Sequence, residues 1–226
     1  MIIIALDVPS AAEARKLVSA LGETADFYKV GLELYAAAGM DFVRELKGQG
    51  KRVFLDLKLY DIGEQVKRAV AAISTVGVDF LTIHAVKQVM KAAIDGRSGE
   101  LELLAVTVLT SFDEQDVLDE GYPLTLAQLV EKRVRHAMDA GVDGVVCSSL
   151  EVAKVRAITG PGMKLVIPGV RSPGKSAGDQ KRIATPAEAA ADGADYLVVG
   201  RQVTRAADPR AELQTILDEI TVSAKK

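Results

Sequence analysis

Tryptophan is absent from the 226 residues, cysteine occurs once, histidine twice, and aromatic side chains make up only 4% of the chain. A single thiol, Cys147, excludes an intramolecular disulfide and any zinc site built on a cysteine cluster. It stands in an apolar run and reads as a buried, inert side chain. No apolar run approaches the roughly 20 residues that span a bilayer. Met1–Asp7 has too short an apolar stretch for a signal peptide and lacks a basic start, so a soluble, cytoplasmic protein is expected. There is no excess of positive charge either. Lys and Arg number 28 against 31 Asp and Glu, a net charge of −3. Binding a phosphate backbone needs many clustered cations, so neither nucleic acid nor a membrane is an expected partner, and a small molecule is. The chain also lacks a G-x-G-x-x-G after its first apolar run, a P-loop, a G-x-S-x-G and a His/Asp/Glu triad with ligand spacing. No metal or cofactor is therefore expected.

Short apolar runs alternate with longer amphipathic ones. The short runs are Ile2–Val8, Phe27–Glu33, Arg52–Lys58, Phe80–Ala85, Leu103–Thr110, Gly144–Ser149, Lys164–Val170 and Tyr196–Val203. Most are almost continuously apolar, as parallel strands covered on both faces must be. Helix starts are marked between them. Ser10 with Glu13, Ser148 with Glu151 and Thr185 with Glu188 have capping-box spacing. Pro186 and Pro209 stand where a first-turn proline is tolerated. Leu126, Leu129, Val130, Val134, Ala137 and Met138 form one helical stripe, and Leu213, Ile216, Leu217 and Ile220 another, both read as core packing. Eight strand–helix units without a linker point to a single (β/α)8 TIM barrel, an α/β domain spanning residues 1–226 with a polar tail at 221–226 that frays. A doubly wound open sheet has no dinucleotide fingerprint to support it.

Active sites of such barrels lie at the C-terminal ends of the strands. Here those ends carry Asp7, Lys29, Asp56, Lys58, His84, Thr110, Arg171, Gly200 and Arg201, with Asp61 close behind. Asp56 and Lys58 are two apart on a strand and so share a face. An ammonium held by carboxylates stays charged and can stabilise, then protonate, a carbanion. The same spacing also fits a structural ion pair at the barrel mouth. Gly200-Arg201 with Arg171 matches the phosphate site that loops seven and eight form in this fold, although an arginine beside a turn glycine also occurs on plain surfaces. Ser172–Gln180 has the composition of a lid over a ligand, or of a disordered loop. His84 reads equally as a packed hydrogen-bonding residue, and His136 as a surface residue.

As a set, these residues resemble the orotidine 5′-phosphate decarboxylase family. The resemblance runs from Ala5-Leu6-Asp7-Val8 to Val199-Gly200-Arg201. Asp56-x-Lys58-x-x-Asp61-Ile62 is similar to the family signature. Ile167-Pro168-Gly169-Val170-Arg171 with Asp179-Gln180-x-Arg182-x-Ala184-Thr185-Pro186 resembles its bacterial branch and is the more specific block. The resemblance implies an Asp–Lys–Asp–Lys array of Lys29, Asp56, Lys58 and Asp61 around the reacting carbon. Lys58 then protonates the C6 carbanion left by loss of CO2, giving UMP. It further implies ribose contacts from Asp7 and Lys29, a pyrimidine contact from Thr110, a phosphate site of Arg171, Gly200 and Arg201, and a lid residue, Gln180. A homodimer in which Asp61 enters the neighbour's site is implied as well. Where the signature often has proline and threonine, this chain has Gly63 and Gln65, so an amide stands in for the partner-side ribose contact. Relatives such as 3-keto-gulonate 6-phosphate decarboxylase and hexulose-phosphate synthase use Mg2+ and carry a glutamate where this chain has Lys29, which would repel a metal. A non-catalytic nucleotide-binding barrel is the remaining alternative.

Overall fold

The computed structural model describes residues 1–175 and 184–223. Eight strands, β1 (Ile2–Ala5), β2 (Phe27–Gly31), β3 (Arg52–Leu59), β4 (Phe80–His84), β5 (Glu102–Val106), β6 (Gly144–Val146), β7 (Lys164–Pro168) and β8 (Tyr196–Val199), pair in sequence order. Each pairing is parallel, and β8 returns to β1, closing a (β/α)8 barrel. No described helix is long and apolar enough to cross a membrane.

Side-chain alternation along the strands divides the interior into two cores. Ile4, Tyr28, Leu55, Leu81 and their equivalents face outward and are buried under the helices. Ile3, Phe27, Phe54, Phe80, Leu104, Val106, Val146, Val166 and Val198 face inward. The scarce aromatics are concentrated here. Phe80 packs edge-on against Tyr196, with centroids 5.0 Å apart, and lies 5.1 Å from Phe27. At the N-terminal end Arg52 lies over Phe27 at 4.1 Å and pairs with Asp79 at 3.2 Å. The barrel is thus filled from below by these side chains.

The helix starts follow the sequence. Ser10 accepts from the Glu13 N–H, and Ser148 and Thr185 each form a reciprocal capping box, with Glu151 and Glu188. The strand ends differ from expectation. Seven of the eight runs stop short at their C-terminal end, because the residues beyond leave the ladder for the loops that build the mouth, and β3 alone extends, by one residue. Thr110 is therefore a loop residue four positions past β5, and Arg201 opens the one-turn helix Arg201–Thr204 rather than continuing β8. Met138 departs from its stripe: at 40% exposure it sits on the edge of helix Leu126–Ala140, whose other stripe residues are buried. Cys147 is fully buried, as its run implied. Helix Pro209–Ser223 absorbs the first part of the tail expected to fray.

Candidate active site

In β2, β3 and β4 a polar residue follows two positions after an inward phenylalanine: Phe27 then Lys29, Phe54 then Asp56, Phe80 then Thr82. A period of two keeps each pair on the inner face, so the aromatic floor is capped by a ring of polar groups. The register of β1, β2 and β3 puts Ala5 beside Lys29 and Gly31 beside Asp56, which brings the polar ends to one level.

The ring is a chain of alternating charge. Lys29 Nζ lies 2.7 Å from Asp7 Oδ1 and 3.5 Å from Asp56 Oδ2, and Lys58 Nζ lies 2.8 Å from Asp56 Oδ1. Lys29 and Asp56 are each 8% exposed, whereas half of the Asp7 side chain and about a third of Lys58 are open to the mouth. Burial opposes the charge on Lys29, but Asp56 and Asp7 outweigh it and hold the ammonium above its ordinary value. Burial likewise opposes the charge on Asp56, and Lys29 and Lys58 together hold its carboxyl below the usual carboxylate range. Both groups stay ionised at neutral pH, the fixed-charge state in which such an array stabilises a developing charge.

Lys58 does not sit on a regular strand. Its φ is +49°, the one positive value at a described non-glycine residue, and the β3–β4 register shifts between Leu55 and Leu59. The Lys58 N–H donates to Thr82 Oγ1 at 2.9 Å instead of a ladder carbonyl. Strain of this kind collects at functional sites. Asp56 and Lys58 thus meet across a bulged stretch of β3 rather than along a regular strand.

A cavity of about 410 Å3 opens above this array. Asp7, Lys29, Asp56 and Lys58 line one side, with Thr110, Arg171, Gly200 and Arg201 also on its wall. Phe54, Val106, Val146 and Val198 form an apolar floor. Arg171 is 8% exposed, its guanidinium Nη1 donating to the Val170 carbonyl at 2.7 Å and its backbone N–H to Ala184 at 3.0 Å. One cavity thus joins a charged array, an apolar floor large enough for a planar ring, and arginines suited to an anion.

Two expected site residues are elsewhere. Asp61 is exposed beyond the end of β3, its Oδ1 accepting from the Ile62 N–H at 2.6 Å, and Gln65 is exposed on helix Gly63–Ser74; neither lines the cavity of its own chain. Gln180, with the remainder of the expected lid from position 176, lies outside the described residues. His84 ends β4, its ring tilted against Tyr60 with centroids 5.3 Å apart; burial, with Arg133 and Lys58, lowers its pKa and so favours the neutral imidazole. His136 is partly buried. Sequence reasoning missed Thr82, although it is the one hydroxyl in Phe80–His84, and Arg205, one helical turn after Arg201 and also on the cavity wall.

The family described as Orotidine 5′-phosphate decarboxylase / HUMPS family matches residues 1–216. The chain belongs to that family. A Rhodopseudomonas palustris (strain BisA53) protein named orotidine 5′-phosphate decarboxylase is 52% identical over 220 residues, covering 97% of this chain and 94% of the relative. One from Afipia carboxidovorans with the same name is 51% identical over 223 residues, 98% and 95% of the two chains. The crystal structure of orotidine 5′-phosphate decarboxylase from Lactobacillus acidophilus superimposes with a TM-score of 0.85 at 37% identity, covering 97% of this chain and 98% of that one. Within the family, the relatives place this chain among the enzymes of orotidine 5′-phosphate decarboxylase type.

Proposed function

We propose that this single-domain enzyme converts orotidine 5′-phosphate to UMP and CO2, as a step in making pyrimidine nucleotides. The carrying observation is the chain of alternating charge Asp7–Lys29–Asp56–Lys58, buried at its two central members, at one cavity with Arg171 and Arg201. In this reading Arg171, Arg201 and the Gly200 backbone take the phosphate, Asp7 and Lys29 the ribose hydroxyls, and Thr110 the pyrimidine edge, with Gln180 reaching across. Asp56 then lies beside the substrate carboxylate. The C6–carboxylate bond breaks, CO2 leaves, and its electron pair stays on C6. The Lys58 ammonium stabilises that carbanion and gives it a proton, and the resulting amine recovers a proton from solvent. Binding of the remote phosphate orients the ring over the array.

Asp61, exposed just beyond the end of β3, fits a role in the neighbouring site of a homodimer, with Gln65 on the helix that follows. Tyr60 and Ile62, 67% and 70% exposed on either side of Asp61, are the kind of apolar surface a second copy covers. A magnesium-dependent sugar-phosphate reaction is disfavoured because the Lys29 ammonium already lies between Asp7 and Asp56, where a bridging cation would have to go. A non-catalytic nucleotide-binding barrel gives no reason for a strained lysine paired to a buried carboxylate.

Orotidine 5′-phosphate supplied with EDTA should be consumed, followed by the ultraviolet change from orotate to uracil chromophore. Folded protein that leaves the substrate intact, or that turns over only when Mg2+ is restored, sinks the proposal.

A further inference from the structure

We propose that Thr82 is a positioning residue for this reaction, its one hydroxyl tying the Asp56 carboxylate to the Lys58 backbone and so aiming the lysine's ammonium. This rests on the decarboxylase reading for its kinetic consequence but not for its geometry. Thr82 is fully buried in β4. Its Oγ1 accepts from the Lys58 N–H at 2.9 Å, so its own hydrogen is available for Asp56 Oδ1, also at 2.9 Å. The same Oδ1 accepts from Lys58 Nζ at 2.8 Å. Thr82, Asp56 and Lys58 thereby form a closed loop of three hydrogen bonds, joining one lysine at both its backbone and its ammonium.

The loop accounts for the backbone at Lys58. A side chain rarely takes φ near +49°, and a strand residue would return to the ordinary extended conformation if its N–H were free to rejoin a ladder. The Thr82 hydroxyl supplies the competing acceptor where the β3–β4 register breaks. Without it, the Lys58 N–H and one lone pair of a buried carboxylate lose their partner together. Relaxing the bulge to recover a ladder bond shifts the Lys58 backbone against β4 and so displaces its ammonium from Asp56. Thr82 itself does not line the cavity, so it acts only through its two neighbours.

The test compares Thr82→Val, which keeps the branched shape, with the pair Thr82→Ser and Thr82→Ala, which differ by the hydroxyl alone. Kcat, KM and UMP affinity are measured for each, and the crystal structure of Thr82→Val is solved. The expected result is a fall in kcat of about 100-fold in Thr82→Val and Thr82→Ala, the loss typical of a reacting group displaced by an ångström, with KM and UMP affinity nearly unchanged and kcat restored in Thr82→Ser. Equal kcat in Thr82→Ser and Thr82→Ala overturns the proposal, even where Thr82→Val does not fold. So does a loss confined to KM. A Thr82→Val structure with Lys58 at negative φ and its Nζ withdrawn from Asp56 supports it, and an unchanged Lys58 overturns it, whether or not the wild-type chain consumes orotidine 5′-phosphate. An inactive wild type in which those structural changes still occur refutes the decarboxylase reading alone.

Discussion

Lys29 Nζ and Asp7 Oδ1, 2.7 Å apart, fill the space in which a side chain at position 31 would stand. A methyl group on Gly31 would come within 2.9 Å of the ammonium and 3.1 Å of the carboxylate oxygen. The Gly31 backbone, at φ −96° and ψ −177°, suits any residue. Glycine is needed there for room, not for conformation.

Gly31→Ala is therefore expected to fold with an unchanged melting temperature while pushing Lys29 off Asp7. Only the flexible end of Lys29 has to move, which is cheap for the fold and costly for a placed charge. The expected fall in kcat/KM is about tenfold or more. Steady-state kinetics beside a thermal melt check it, and a melting temperature that falls while kcat/KM holds would contradict the assignment.

Lys58→Ala should fold and bind UMP but lose kcat by about three orders of magnitude, within the range of general acid catalysis. The positive φ at Lys58 adds a stability signature. Any L residue there bears the left-handed cost of about 1–2 kcal/mol, which glycine escapes. Glycine gives back about 0.4–1 kcal/mol through its freer unfolded chain. Lys58→Gly should therefore be at least as stable as Lys58→Ala, the reverse of the order at an ordinary strand position. Urea midpoints of the two variants decide it.

Much of the barrel was legible because parallel strands buried on both faces leave long apolar runs, and the cavity-lining set was legible because charges such as Lys29 and Asp56 interrupt them. Strand ends were not. Val170 and Val203 remain buried after the ladder has ended, so hydrophobicity continues where hydrogen bonding stops. Thr82 was illegible for a related reason: threonine is a good strand former, and nothing local announces that its hydroxyl meets a bulge on the next strand. The bulge itself arises from that tertiary contact and leaves no pattern in Asp56-Leu57-Lys58.

The two central charges set opposite limits on stability. Asp56 is held below its ordinary value of 3.8, so its contribution is complete above that pH and is lost as pH falls through the folded value. Lys29 is held above its ordinary 10.5, so its contribution is complete below that pH and is lost as pH rises through the folded value. Neither group titrates between about pH 5 and 9. Asp56→Asn should lose less stability than wild type on acidification from pH 5 to pH 3, measured by urea unfolding at each pH. Equal acid sensitivity would mean that Asp56 is not held by Lys29 and Lys58.

Arg201 and Arg205 both reach the cavity wall, yet their environments differ. Arg201 is partly buried and Arg205 exposed. Removing a charged hydrogen-bonding partner of a bound phosphate costs about 10- to 100-fold in kcat/KM, which is the expectation for Arg201→Ala, with KM raised. Arg205→Ala should lose less, and its loss should shrink further as salt is added, because an exposed charge is screened. Kinetics at two ionic strengths separate them. An unchanged kcat/KM in Arg201→Ala would remove it from the phosphate site.

The placement of Asp61 leads to a test that one chain alone cannot pass. If each site takes Lys58 from its own chain and Asp61 from the neighbour, Lys58→Ala and Asp61→Ala are each inactive as homodimers. Mixed, they form a heterodimer with one site carrying both defects and one carrying neither. Random exchange makes half the dimers mixed, so activity should recover to about a quarter of the wild-type value, as two-fold symmetry requires. Mixing the purified variants under conditions of subunit exchange and assaying over time reads this directly. No recovery, although native mass spectrometry shows mixed dimers, would place Asp61 in its own chain's site or in none.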